Sequence, residues 1–117
     1  MDRIDLSIAL KATDGDYELL QVVIDAFVEE YPMLLSELES AIQAGDSVVV
    51  QRSSHTIKGT LRLFGNVPAR EFAEQLEEMG STGSLENAAE AYGSLQRSMA
   101  SLRRQLSLAM KDLGIRG

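Results

Sequence analysis

The sequence predicts an all-α fold, an antiparallel up-down four-helix bundle with a short extra N-terminal helix and a long C-terminal helix. Three observations support this prediction. Apolar residues recur at alternating spacings of four and three, which is typical of helices with one buried face. No segment shows the alternation of a sheet or a glycine-rich phosphate loop. The connections are only about two to four residues long, which favours antiparallel neighbours.

The first half of the chain contains the short helix, expected over about residues 3–11, and a longer apolar stripe. Pro32 interrupts this stripe and predicts either two helices, at about 16–31 and 32–44, or one kinked rod. Gly45 supplies a natural C-terminal stop. The residues of the stripe are Leu20, Ile24, Phe27, Tyr31, Leu34, Leu38 and Ala41.

The second half of the chain contains three further predicted helices. Asp46 is a plausible N-cap for a helix that runs to about Phe64. The next helix begins with proline and covers 68–79, followed by a loop at 80–83. Ser84 is predicted to cap a long final helix with a heptad seam. The seam consists of Leu85, Ala88, Tyr92, Leu95, Met99, Leu102, Leu106, Ala109 and Leu113.

Composition indicates one domain over residues 1–117, with 44% apolar and 25% charged residues. There is no cysteine and one histidine, which excludes disulfides, thiolate zinc sites and cysteine nucleophiles, and we expect no metal or cofactor on this chain.

No apolar run reaches the roughly 18 to 20 residues of a membrane span. The acidic start MDRIDLSIAL differs from a secretion signal, so we expect a cytoplasmic protein without membrane insertion.

Charge is segregated along the chain, although the total is 11 − 18 = −7. Residues 12–51 contain nine acids and no Lys or Arg, and residues 71–96 contain six acids and again no base. Residues 47–70, which we call the basic segment, contain no acid and hold the histidine and four bases, namely Arg52, Lys58, Arg62 and Arg70. The net negative charge opposes nucleic-acid binding, so we expect no nucleic-acid partner.

The histidine, His55, lies about 180° from the apolar face on a wheel of the third long helix, so it should face water. Arg52 and Lys58 lie three residues away on either side, close enough to meet an attached group. Gly59 costs the helix about 1 kcal/mol relative to alanine, and it leaves open the space over His55 into which a side chain would project. The residues flanking His55 on the wheel are Gln51, Arg52, Lys58, Gly59 and Arg62.

An accessible imidazole, nearby cations, open space and a segment without carboxylates suit a histidine that carries a phosphoryl group. Imidazole is the side chain that is both nucleophilic and largely neutral near pH 7. Exposed Val48 on the same side is either harmless or part of an apolar rim on which a partner docks.

These residues also resemble a known family. The run His55-Thr56-Ile57-Lys58-Gly59 is similar to the His-x-x-Lys-Gly signature of histidine-containing phosphotransfer (HPt) domains of multistep phosphorelays. The resemblance extends over about residues 15–111. Ser54, where alanine is common, and Leu61 and Arg62, where small residues usually follow the glycine, depart from the family pattern.

The resemblance implies a phosphocarrier that is not itself an enzyme. His55 would accept a phosphoryl group from a receiver aspartate and pass it to another receiver, with Lys58 as the cation beside the phosphate and Gly59 as the gap. The implied partners are receiver domains of hybrid histidine kinases and of response regulators, which would supply magnesium and most catalytic groups. Val48, Gln51, Arg52 and Arg62 are the candidate docking residues.

The alternative is a helical interaction or dimerisation module that carries no phosphate. The seam at 85–113 would then pair with a partner helix or a second copy. Packing within one chain satisfies all the amphipathic segments together, so we expect a monomer. Nucleic-acid binding through Arg52, Lys58 and Arg62 is a remote third reading.

Overall fold

The structure, a computed structural model, describes residues 4–114, and these residues form five α-helices without a strand. One short 3₁₀ segment, Leu61–Phe64, continues the third helix. The helices are α1 (Ser7–Ala12), α2 (Tyr17–Ala44), α3 (Ser47–Thr60), α4 (Pro68–Thr82) and α5 (Ala88–Asp112). The predicted start of the first helix near residue 3 lies outside the described residues, and residues 4–6 precede α1.

Of the two alternatives at Pro32, the structure has the single rod, because residues Tyr17–Ala44 form one continuous helix, α2. The apolar face continues through the proline, because the rings of Phe27 and Tyr31 stack at 5.4 Å and Leu35 is buried in the next turn. Pro32 is exposed, so the carbonyl that loses its donor can be hydrated. Packing of the buried face therefore outweighs the local cost of proline.

Helix α3 begins as predicted, but its last turn tightens. The side chain of Asp46 accepts a hydrogen bond from the backbone N–H of Val49 at 3.2 Å, which caps the helix. The chain changes to 3₁₀ geometry over Leu61–Phe64, where the α-helix was predicted to continue. Gly65 then takes a φ of +74°, a left-handed value that ends the segment.

Two boundaries around α4 and α5 differ from the prediction. Residues 80–82, expected in a loop, form the last turn of α4, and Gly83 caps it with a φ of +78°. Ser84 does not cap the last helix, which begins four residues later at Ala88 without a side-chain cap. Gly80 does not open a loop as predicted, because it lies buried inside α4 and packs against α3.

The four long helices surround a common core. Helix α2 contacts α3 and α5, and α4 contacts the same two helices on the other side. Phe27 of α2 meets Phe64 edge to face at 5.0 Å. The seam of α5 is filled within the chain, since its members from Ala88 to Ala109 are buried, while Leu85 is half-buried and Leu113 is exposed. The bundle therefore buries the apolar seam of α5 that would have to be exposed for pairing with a second copy.

Candidate functional site

His55 lies at the middle of α3 on the side that faces solvent. Its side chain is 62% exposed, as the helical wheel predicted. Its neighbours on this surface, Gln51, Arg52, Gly59 and Arg62, are exposed as well. Val48, two turns before His55, is 67% exposed. Helix α3 and the 3₁₀ segment that continues it thus present the imidazole together with these exposed residues.

The imidazole is held by a carboxylate from the neighbouring helix. His55 Nδ1 lies 2.9 Å from Oε2 of Glu77, which is on α4. The other oxygen, Oε1, lies 2.6 Å from the Nζ of Lys58. Glu77 is mostly buried, with 22% of its side chain exposed, so water screens these contacts only partly. The carboxylate therefore connects the histidine and the lysine of the motif.

One expectation about this surface is wrong. The basic segment contains no acid, but the folded chain brings Glu77 to its centre, so His55 is not free of carboxylates. The error arises because a wheel of one helix cannot show what a neighbouring helix contributes. The structure pairs Lys58 with the same carboxylate and leaves 20% of its side chain exposed, and its role as the cation beside the phosphate stays a prediction.

The charge state of Glu77 defines the tautomer of the ring. The hydrogen bond with Lys58 lowers the pKa of the Glu77 carboxyl below its ordinary value, opposed by burial and assisted by the hydrogen bond with His55. The carboxylate is therefore ionised at neutral pH and only accepts hydrogen bonds, which places the ring proton on Nδ1. Nε2 has no hydrogen-bond partner within residues 4–114, and in the neutral ring with its proton on Nδ1 this nitrogen carries the lone pair.

Sequence reasoning missed Glu77 because the contact depends on the packing of α3 against α4. The two helices run antiparallel, and their backbones approach each other closely where Gly80 meets Gln51. A Cβ at position 80 would lie 2.4 Å from the backbone nitrogen of Gln51, so only glycine fits without a shift. Glu77 lies one turn before Gly80, and His55 one turn after Gln51. The signal in the sequence that could have indicated this close packing was Gly80, a residue without a side chain on the face of α4 that contacts α3.

Gly59 is not required by the packing of the described residues. A Cβ built at this position meets nothing within 4 Å, and the backbone has no positive φ. The space on the C-terminal side of His55 is therefore open, as predicted. On the opposite side, Ser54 is fully buried, and its hydroxyl has no hydrogen-bond partner among residues 4–114.

The cations that remain available around His55 are Arg52 and Arg62. Both are exposed, and neither side chain makes an ion pair or hydrogen bond within the described part of the chain. Arg62 also lines an open cleft, together with Arg70 and the Gly65-Asn66 turn. Residues 4–114 contain no group of three or more His, Asp or Glu side chains arranged for a metal ion. This surface thus presents the nucleophilic imidazole of His55 and the exposed guanidinium groups of Arg52 and Arg62.

Comparison with models of known protein families identifies the family of this chain. The sequence model of the Hpt domain matches residues 22–105, which is more than half of the chain. The chain belongs to the Hpt domain family. Members of this family act as phosphocarriers, so the general function of this Hpt domain is as a relay intermediate in phosphotransfer. The resemblance expected from the motif is confirmed.

A solved structure shares the fold of this Hpt domain. The crystal structure of histidine-containing phosphotransfer protein B (HptB) from Pseudomonas aeruginosa PAO1 superposes with a TM-score of 0.84 at 24% identity. The match covers 94% of this chain and 96% of that one. A search of curated proteins returns no match. Within residues 4–114, none of the helices has the length and apolar character needed to cross a membrane. The fold shared with the HptB structure confirms the predicted helical bundle.

Proposed function

We propose that this Hpt domain accepts a phosphoryl group on Nε2 of His55 from the phospho-aspartate of one receiver domain and passes it to the aspartate of another. The observation that carries the proposal is the exposed imidazole whose Nδ1 is occupied by an ionised carboxylate while Nε2 is free. A ring held in this tautomer presents one nucleophilic nitrogen to the partner. Its orientation is fixed before the partner arrives.

The proposed accepting step is a displacement at phosphorus. The Nε2 lone pair attacks the phosphorus of the acyl phosphate and forms a P–N bond, while the P–O bond to the receiver aspartate breaks and its electron pair leaves a carboxylate. The proton on Nδ1 stays in its hydrogen bond with Glu77. The ring becomes positively charged beside a carboxylate, which stabilises it. Onward transfer forms and breaks the corresponding bonds in reverse.

Lys58 and Gly59 have separate roles in this proposal. Lys58 holds Glu77 in the unphosphorylated protein, and its flexible stem allows the ammonium group to turn toward the phosphoryl group once that group is attached. Gly59 leaves room for the receiver to approach Nε2. Arg52 and Arg62 attract the acidic pocket of the receiver, and Gln51 and Val48 contribute to the docking surface.

The remaining parts of the reaction come from the partner in this proposal. Phosphoryl transfer needs positioning and charge stabilisation, for which receivers of hybrid histidine kinases and response regulators would supply magnesium and most catalytic groups. The Hpt domain would bind no cofactor of its own. It would work in the cytoplasm as a monomer, since the α5 seam is occupied within the chain.

The direct test is transfer from a phosphorylated receiver to the untagged protein. His55 is the only histidine in the sequence, so acid-labile labelling of this chain reports on a single residue. We expect labelling of the natural protein and none of His55→Gln. Glu78→Gln is the matched control, because it changes an exposed carboxylate of α4 that does not contact His55.

Two results would contradict the proposal. Equal labelling of His55→Gln would exclude His55 as the acceptor. Failure of the natural protein to accept phosphate from every receiver of the source organism would instead favour the interaction module without phosphotransfer. Circular dichroism of each variant separates a lost acceptor from a lost fold.

A further inference from the structure

Gly80 occupies a helical position that does not need the conformational freedom of glycine. It is buried in the last turn of α4, and its φ is not among the positive values of this chain. Glycine inside a helix lowers stability relative to alanine, because it loses more backbone freedom on folding. A spatial reason must therefore explain its presence.

The spatial reason is a contact between two backbones. A Cβ at position 80 would lie 2.4 Å from the nitrogen, 2.7 Å from the Cα and 2.9 Å from the Cβ of Gln51. None of these atoms belongs to a flexible side-chain end that moves aside. The two other helical glycines differ, since a Cβ at Gly59 meets nothing within 4 Å and one at Gly93 meets only the Nη1 of Arg97 at 3.4 Å.

This contact lies beside the proposed phosphoryl acceptor. On α3, Gln51 is one turn before His55, and on α4, Gly80 is one turn after Glu77. This close approach of the two backbones is therefore adjacent to the contact between His55 Nδ1 and Glu77 Oε2, which measures 2.9 Å. The spacing of the backbones determines how far the carboxylate reaches across α3.

We propose that Gly80 is a positioning residue for His55, because its lack of a side chain keeps α4 close enough for Glu77 to hold the imidazole. Ordinary contact begins at 3.4 Å, so an alanine at position 80 separates the helices locally by about 1 Å. The distance between Nδ1 and Oε2 would then rise to about 3.9 Å, which is too long for a hydrogen bond.

Rotation of the Glu77 side chain cannot easily restore the arrangement. Its two oxygens contact two different partners, His55 Nδ1 at 2.9 Å and Lys58 Nζ at 2.6 Å. A turn that brings one oxygen back toward α3 moves the other away. The inference rests on the proposed function for its effect on phosphotransfer, but the effect on the ring tautomer is independent of that function.

The experiment compares Gly80→Ala with Gly93→Ala, a helical glycine whose new methyl group meets only a side-chain end. Ring ¹⁵N chemical shifts of His55 report the tautomer, and a phosphorylated receiver reports the transfer rate. In Gly80→Ala we expect the ring to lose its preference for the Nδ1–H tautomer. We also expect transfer to be about tenfold slower, because losing the stabilisation of one hydrogen bond in the transition state lowers a rate by about that factor. Gly93→Ala should match the natural protein in both readouts.

A double-mutant cycle separates positioning from general damage. In the Glu77→Ala background, Gly80→Ala should slow transfer no further, because the carboxylate that it positions is absent. Glu77→Asp, which retracts the carboxylate without crowding the helices, should reproduce the tautomer change. If Gly80→Ala does not fold alone, the same comparisons are made in the Gly93→Ala background, where alanine favours the α5 helix.

Two results would overturn the inference: an unchanged tautomer and transfer rate in folded Gly80→Ala, or an equal further slowing when Glu77 is already alanine. A different result would count against the function alone. If the natural protein accepts no phosphate while the tautomer still changes in Gly80→Ala, the positioning role stands and the proposed relay fails.

Discussion

At the scale of single residues, the site combines a nucleophile found from spacing with a carboxylate that spacing did not reveal. His55, Lys58 and Gly59 lie within one turn of one helix, so their common surface follows from helical geometry. Glu77 lies 22 residues further along the chain and on another helix. Its contact depends on the register between α3 and α4, which no pattern within either helix determines.

Gly59→Leu should leave the fold intact and slow phosphotransfer. The position is exposed and a Cβ there meets nothing within 4 Å, so the unfolding free energy should stay equal or rise by up to about 1 kcal/mol with the better helix former. The longer side chain would extend toward His55, so transfer from a receiver should slow at least about tenfold. Urea denaturation and labelling kinetics measure the two effects, with Gly93→Ala as control. Transfer at the natural rate would contradict the role of Gly59 as the gap.

Glu77 should make stability depend on acid pH. Lys58 holds the pKa of this carboxyl below its ordinary value of 4.5, so the unfolded chain binds the proton more tightly than the folded one. The ion pair therefore stabilises the fold above pH 4.5, and this contribution is lost as the pH falls through the lowered pKa. We expect the natural protein to lose up to about 1 kcal/mol more than Glu77→Gln between pH 7 and the acid range.

Urea denaturation at a series of pH values measures this difference. The control is Glu78→Gln, a change of the adjacent, exposed carboxylate on the same helix. It should leave the pH dependence close to that of the natural protein. Parallel curves for the natural protein and Glu77→Gln would show that the contact contributes nothing to folding.

At the scale of helices, the sequence predicted the number and order of the elements better than their ends. Asp46 and Gly45 lie at the boundaries where capping chemistry placed them, because these signals are local. The sequence predicts a break or a kink at Pro32 and a loop at Gly80, and both residues lie within helices. In each case tertiary packing decides the outcome: the buried face of α2 extends across the proline, and α4 needs a small residue against α3.

Replacing Pro32 should stabilise the protein. Pro32→Ala restores a backbone donor in the interior of α2 at an exposed position, so we expect the unfolding free energy to rise by about 1 to 3 kcal/mol. The other proline of the chain, Pro68, is the control, because it occupies the first turn of α4, where its missing N–H costs little. Thermal and urea denaturation measure both variants. An equal gain from Pro68→Ala would contradict the assignment of the cost to the helix interior.

At the scale of the whole molecule, the sequence predicted the bundle because every amphipathic segment required a partner and the chain itself could supply all of them. The bundle buries the seam of α5 and leaves Arg52, His55 and Arg62 exposed, in a molecule with a net charge of −7. The segregation of charge is visible in the sequence. The pairing of Lys58 with Glu77, which removes one cation from the available set, is not.

Association with a receiver should slow as salt rises. The exposed guanidinium groups of Arg52 and Arg62 attract an acidic surface, and salt screens charges beyond about 10 Å at 0.1 M. Arg52→Gln with Arg62→Gln should lower the association rate at low salt and flatten its salt dependence. Stopped-flow binding measures both, and Arg104→Gln, an exposed arginine on α5, is the control. A salt dependence that is unchanged in the double variant would exclude steering by these residues.

The free Nε2 of a lone imidazole on the flank of α3 has a kinetic consequence for the proposed relay. In that relay, donor and recipient would have to reach the same atom, so they would bind in turn and would not form a ternary complex. Turnover would follow ping-pong kinetics. An excess of dephosphorylated donor receiver would inhibit phosphotransfer, because it would occupy the surface around His55. The relative abundance of the two receivers would then set the direction and the flux of signalling.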